Sequence, residues 1–162
     1  MEEKFYSCYL SETEIEEFKN RFRSLEICIE NNTERKLKFI ESYFDSGGMF
    51  PSDTNPCDVP SFSEWVYFLA GYASGVTGGL KFKVAGKDVH LYLGFTNPII
   101  GCYKTFLSLT DDGHEPAKWA YDQVWDDIKK NDICRKYQVE VHLTDPEYSP
   151  FKMVHCTIEE TF

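Results

Sequence analysis

The sequence predicts a mainly β protein: one domain, residues 1–162, built as an antiparallel β-sandwich flanked by two α-helices. Three observations predict it. Period-2 alternation recurs along the chain, as where Leu80, Phe82 and Val84 alternate with Lys81 and Lys83, and Val89, Leu91, Leu93 and Phe95 alternate with His90, Tyr92 and Gly94. That is the signature of half-buried strands. Only two segments carry helical periodicity instead, and many short strands with two helices favour a sandwich with a helix on each side. A length of 162 residues suits one domain and buries most of its apolar surface without covalent staples.

The first element is a helix. Ser11 and Glu14 have capping-box spacing, with Leu10 and Ile15 at the N′ and N4 positions of a hydrophobic staple. Glu12, Glu14, Glu16 and Glu17 crowd its first turns, which suits the positive end of the helix dipole. Ile15, Phe18, Phe22 and Leu25 share one stripe, so an amphipathic helix is expected over 11–24. Residues 1–24 thus read as an N-terminal segment and 25–162 as the sandwich. At Leu25 the period changes: Leu25, Ile27 and Ile29 alternate with Glu26, Cys28 and Glu30. Asn31-Asn32-Thr33 reads as a turn, Leu37 to Phe44 as the paired strand, and Ser46-Gly47-Gly48 as its end.

Residues 51–63 hold three prolines and little periodicity, so a long loop over the sheet is expected rather than a domain boundary. Trp65–Ala70 precedes the Leu80–Phe95 hairpin, whose turn is Ala85-Gly86-Lys87-Asp88; Gly tolerates positive φ and Asp hydrogen-bonds its own backbone. Asn97-Pro98 ends the second hairpin strand because Pro has no ladder N–H. Ile99, Ile100, Tyr103 and Phe106 then crowd a loop and the start of the next strand, and apolar side chains at a loop tip need a core or an outside partner. His114-Glu115-Pro116 opens a second helix, expected at about 116–130, with Ala117, Tyr121, Val124 and Ile128 on one face and Lys129 and Lys130 at its C-terminal end. Tyr137, Val139, Val141 and Leu143 alternate again, Asp145-Pro146 turns the chain, and Phe151–Ile158 returns as a last strand.

Seventeen basic residues against twenty-seven acidic give a net charge of −10. This opposes a nucleic-acid partner and simple adsorption to anionic lipid, and leaves a zwitterionic phosphocholine surface open. Aromatic residues at 16% favour aromatic-rich packing or binding. The first twenty residues have no signal-peptide apolar region, so a cytosolic location is expected. Cys8, Cys28, Cys57, Cys102, Cys134 and Cys156 are then expected as reduced thiols. His90, His114, His142 and His155 are scattered, and no C-x-x-C, phosphate loop, G-x-S-x-G or H-E-x-x-H occurs. Asp111, Asp112, Asp126 and Asp127 read as turn and helix-surface charges. No enzyme, metal or cofactor is expected.

The segment Ser74–Trp125 carries most information. Its two strands, aromatic loop, third strand and helix, together with the runs RSLEICIENNTERKLKFIESYFDSG, LYLGFTNP and AYDQVW, resemble the actinoporins, the sphingomyelin-binding pore-forming cytolysins of sea anemones, and their actinoporin-like relatives. The resemblance covers most of the chain. It implies a phosphocholine pocket made of Ser46, Leu80, Thr96, Pro98, Tyr103, Tyr121 and Trp125, in which aromatic faces hold the quaternary ammonium and hydroxyl donors hold the phosphate. It also implies a membrane-contact loop at Ile99, Ile100 and Phe106, and a pore helix whose apolar face is Ile15, Phe18 and Phe22. Membrane-bound homo-oligomers would follow. On the residues alone, Tyr121, Val124 and Ile128 equally suit packing of the helix on the sheet, and Leu80 suits the core.

The chain departs from the family in three ways. It has Ile99-Ile100 and Phe106-Leu107 where adjacent tryptophans are usual, no Arg-Gly-Asp after the second helix, and an acidic, cysteine-rich composition. A helix over 11–24 would be ~21 Å long against a ~30 Å hydrocarbon core, and one over 1–24 would reach ~36 Å. The expected function is recognition of phosphocholine or sphingomyelin head groups, with a cytolytic pore formed through the N-terminal helix as the family's further step. The alternative is a non-lytic carbohydrate- or lipid-binding module, since fungal fruit-body lectins share the scaffold.

Overall fold

The computed structural model describes residues 11–20, 23–51, 56–71, 74–98, 103–126, 129–144 and 152–161. In chain order the elements are α1 (Glu12–Lys19), β1 (Arg23–Asn32), β2 (Leu37–Ser46), β3 (Gly48–Met49), β4 (Ser63–Gly71), β5 (Val76–Val84), β6 (His90–Asn97), β7 (Lys104–Thr110), α2 (Ala117–Gln123), β8 (Asn131–Cys134), β9 (Val139–Thr144) and β10 (Lys152–Glu160). They form two sheets, one ordered β3-β4-β1-β10-β9-β8 and the other β2-β5-β6-β7. The expected β-sandwich with two helices is the observed architecture. All pairings are antiparallel except β1 with β10, which run parallel from Leu25 opposite Lys152 to Asn32 opposite Glu159.

The alternation read from sequence fills the space between the sheets. Leu25, Ile27 and Ile29 of β1, Tyr67 and Leu69 of β4, Val139, Val141 and Leu143 of β9, and Val154, Cys156 and Ile158 of β10 pack in one cluster with Leu80, Phe82, Leu91, Leu93, Phe95 and Leu107 of the second sheet. Each such side chain contributes ~1.5–3 kcal/mol on removal from water. The polar end of Tyr67 is satisfied there, its hydroxyl donating to the Cys57 carbonyl at 2.5 Å. Cys28, Cys134 and Cys156 are buried thiols and Cys57 is an exposed one; Cys8 and Cys102 lie outside the described residues. Alkylation in denaturant without reductant is expected to modify all six cysteines of the chain. A lower count by mass spectrometry would reveal disulfides and an oxidising compartment.

α1 begins where the capping box places it. The Glu14 amide donates to Ser11 Oγ at 3.2 Å, and the Ser11 amide to Glu14 Oε1 at 3.1 Å. It is shorter than expected, eight residues instead of the span 11–24, because Leu25 belongs to β1 and is drawn into the sandwich core. Its apolar face also differs. Phe18 is buried and packs on Phe50 and Phe68, at ring centroid distances of 5.6 and 5.2 Å. Ile15 is exposed, so it does not dock as the stripe implied, and Phe22 lies outside the described residues. No described helix is long and apolar enough to cross a membrane.

α2 likewise ends earlier than the expected 130. After Gln123 the chain turns, and Lys129 and Lys130 are bound as extended connections: the Lys129 carbonyl accepts from the Leu107 amide and the Lys130 carbonyl from the Leu143 amide, both at 2.8 Å. Those two carbonyls tie β7 to β9, a tertiary role that outweighs helix propensity.

Candidate functional site

α2 lies flat on the outer face of the four-stranded sheet because two glycines remove the side chains beneath it. Gly79 and Gly94 stand opposite one another in β5 and β6. A Cβ on Gly79 would lie 2.3 Å from the Ala117 carbonyl oxygen, and one on Gly94 2.1 Å from that of Ala120. Ala117 and Ala120 are accordingly buried. Ala120, Val124, Tyr92 and Phe106 make a second small core under α2, with Trp119 packed edge-on against Tyr92 and Phe106 at 5.0 and 5.6 Å.

Polar contacts fix the start of the helix. Glu41 Oε1 of β2 accepts the Ala117 amide at 2.5 Å, the Tyr92 hydroxyl donates to the Glu115 carbonyl at 2.6 Å, and the buried Lys81 donates to the Gly113 carbonyl at 2.9 Å. His90 is buried against Gly113. Burial, with Lys81 next and Lys83 adding, lowers its pKa from 6.5, while Asp88 and Asp112 act in the opposite direction. A histidine with a lowered folded pKa takes up its proton first in the unfolded chain. The stability fully present above about pH 6.5 should therefore be lost as pH falls below that value and through the lowered folded one. Urea midpoints on either side of it are expected to differ less in His90→Gln than in the wild type; equal pH dependence would contradict this assignment.

Beyond the glycines, strand register builds a row across the same face. Ser46 pairs with Thr77, Thr77 with Thr96, and Thr96 with Lys104. A bulge in β2 between Phe44 and Ser46 sets the first of these pairings, and bulges re-aim side chains in this way. Ser46 Oγ and Thr77 Oγ1 are 2.9 Å apart. The second half of α2 and the turn after it add aromatic rings. Tyr121 lies 5.6 Å from Tyr43 and 6.0 Å from Trp125, edge-on to the latter. Lys118 Nζ stands 5.8 Å over the Tyr43 ring, and Lys104 Nζ 5.8 Å over the Trp125 ring. Burial, then the charge and hydrogen bond of Asp45, raise the Tyr121 pKa, so its hydroxyl stays protonated. Trp125 is 50% exposed, an open aromatic face beside the Lys104 ammonium, while the Lys118 ammonium is also held by the Asp122 carboxylate at 3.1 Å. Such a patch offers rings to a cation or to a membrane interface, and lysine and hydroxyl donors to a phosphate.

Of the pocket expected from the sequence, Ser46, Tyr121 and Trp125 are accessible and on this face of the sheet. Leu80 and Thr96 are corrections. Both have no accessible surface: period 2 turns Leu80 into the main core, and Thr96, in the inner strand β6, is fully covered between Thr77 and Lys104. Neither can touch a ligand from solvent. Pro98 is partly exposed, and its carbonyl accepts from Arg23 Nε at 3.1 Å. Tyr103 packs against the main core. Phe106, expected in a membrane-contact loop, is buried under α2 in β7; Ile99 and Ile100 lie outside the described residues. Tyr43, Lys104 and Lys118 were missed. Lys118, Tyr121 and Trp125 follow the i, i+3, i+7 spacing of one helix face, a signal present in the sequence. Tyr43 needed the strand pairing opposite Gly79.

Elsewhere, on the six-stranded sheet, Glu140, His142 and Glu159 bring one ligand atom each to within 4.8 Å of the others. His142 Nδ1 is 2.7 Å from Asn131 Oδ1. Among the described residues these three side chains could share a metal ion.

No family model matches the chain, and no curated protein matches its sequence. Among solved structures it is similar to the lipid-binding protein Nakanori, with a TM-score of 0.74 and 12% identity over 91% of this chain and 76% of that one. At that identity the likeness is one of fold.

Proposed function

We propose that this protein binds lipid and reads phosphocholine-type head groups, such as that of sphingomyelin, with the Tyr43, Tyr121 and Trp125 patch. The convergence of three aromatic rings with Lys104, Lys118 and Ser46 on one accessible face carries this reading. The fold likeness to a protein described as lipid-binding supports it. A net charge of −10 disfavours anionic bilayers and favours a zwitterionic surface. The chemistry is that of a binding protein rather than an enzyme.

Pore formation would be a second step. α1 is only ~12 Å long, so it would have to lengthen toward the ~36 Å of residues 1–24 while keeping its glutamates in water. Phe18 would have to leave Phe50 and Phe68, the contact that holds α1 to the sheet. Adding sphingomyelin vesicles should blue-shift the emission of Trp125, and the shift should vanish in a Trp125→Phe variant. Calcein release from the same vesicles tests the second step. Binding without release would leave a non-lytic lipid reader, and a Trp125→Phe variant that shifts like the wild type would contradict the site.

A further inference from the structure

The opposite end of the sandwich holds a cavity of about 170 Å³ lined by Glu34, Arg35, Lys87, Gln138, Glu160 and Thr161. Drug-sized sites run ~300–1,000 Å³ and are mostly apolar. This one is smaller, and none of its lining residues is apolar.

Its walls are three turns and a strand end tied together by hydrogen bonds. Asn31, buried at the end of β1, donates through Nδ2 to the carbonyls of Arg35, Val59 and Pro60, and accepts from the Thr33 amide and hydroxyl. The β5–β6 turn needs Gly86: its φ is +78°, and a Cβ there would stand 2.3 Å from Arg35 Nη1. The β8–β9 turn ends in Gln138 at φ 56°, whose carbonyl accepts the Thr161 amide at 2.8 Å. A non-glycine residue in the left-handed region costs ~1–3 kcal/mol and is kept where its surroundings over-determine it.

Three of the four charged side chains here are anchored, and none of the four is matched by another. Arg35 Nη1 donates to the Ala85 carbonyl at 3.3 Å, Lys87 Nζ to the Tyr137 carbonyl at 2.9 Å, and Glu160 Oε1 accepts the Glu34 amide at 3.3 Å. Among the described residues, no ion pair joins either cation to Glu34 or Glu160. Two basic and two acidic residues thus line one small space, and no ion pair among them neutralises it. A lone anion there would meet the carboxylates, a lone cation the ammonium and guanidinium, and a neutral polyol would leave all four charges unpaired.

We infer that this cavity binds a small zwitterion carrying one ammonium and one oxyanion, the oxyanion toward Arg35 and Lys87 and the ammonium toward Glu34 and Glu160. Bidentate guanidinium–oxyanion pairing makes Arg35 the principal anion contact. The site stands apart from the lipid reading, since it lies where β2 begins and the aromatic patch lies where β2 ends. The ligand chemistry is shared by free phosphoethanolamine and by the head group of an ethanolamine phospholipid.

The test is a titration of the full chain with O-phosphoethanolamine to ~10 mM, the range of a weak single-site ligand, followed by amide chemical shifts. Saturable shifts are expected at residues 34–35, 87, 138 and 160–161, reduced at least tenfold in affinity in Arg35→Ala and in Glu160→Gln. Methyl glucoside, inorganic phosphate and ethylamine are the comparisons. Equal shifts from any of the three, or none from phosphoethanolamine, would overturn the inference. If Arg35→Ala does not fold, Glu160→Gln with its unchanged shape decides alone. Flotation with ethanolamine-phospholipid vesicles separates the sources: Arg35-dependent flotation identifies the lipid head group, and soluble binding without flotation identifies a free metabolite. The phosphocholine reading survives either result.

Discussion

Gly94→Val should unseat α2, lowering stability by about 3 kcal/mol or more, the upper range for forcing side-chain volume into a packed contact. For a chain of this size that is ~6–12 °C in melting temperature. The new side chain would occupy the space of the Ala120 carbonyl oxygen, 2.1 Å from where a Cβ would be. That atom belongs to helix backbone, so it cannot rotate aside. The small core of Tyr92, Phe106, Ala120 and Val124 would open with it. Gly48→Ala, with nothing within 4 Å of its Cβ position, serves as the control and should melt within ~1–2 °C of wild type. A Gly94→Val protein that melts with the control would show that α2 is not seated as described.

The second large effect is on binding. Tyr121→Ala with Trp125→Ala removes two of the three rings while leaving both buried cores intact, since neither side chain belongs to them. Cation–π contacts contribute ~0.5–2 kcal/mol each. The double variant should therefore bind phosphocholine vesicles about tenfold or more weakly. Its melting curve should change little, because Trp125 is half exposed and Tyr121 only partly buried. Equal affinity in a folded double variant would remove the patch from the lipid reading.

Much of the fold could be read from the sequence because one face of most strands is buried, and burial writes period 2 into the residues. β9 shows this, with Val139, Val141 and Leu143 turned to the core between less buried neighbours; β5 and β6, expected half-buried, still send Leu80, Phe82, Val84, Leu91, Leu93 and Phe95 to that core, but α2 buries much of their other face as well. The Ser11 and Glu14 box placed the start of α1 for an equally local reason. What could not be read was tertiary. The parallel pairing of β1 with β10 joins the first and last strands, and alternation does not encode which way a partner runs. β3 and β8, at two and four residues, are too short to show a pattern. Helix ends were overrun at both helices, because Leu25 and Lys129 carry good helical spacing but are claimed by the sheets.

The site was legible in part. Tyr121 and Trp125 came from the family resemblance, as did Thr96 and Leu80, and the structure leaves the first two accessible, on α2 and in the turn after it. Motifs do not report depth: period 2 turns Leu80 into the core, and Thr96, on the outer face in the inner strand β6, is fully covered too. Tyr43 and Lys104 joined the site only through register across β2, β5, β6 and β7.

Flotation of the wild-type chain with two vesicle types tests the central claim most directly: bilayers containing sphingomyelin, and bilayers of matched charge without any choline head group. The protein should float with the first and not the second, and soluble phosphocholine should release it. Equal flotation with both, or none with either, would contradict recognition of the phosphocholine group by this face.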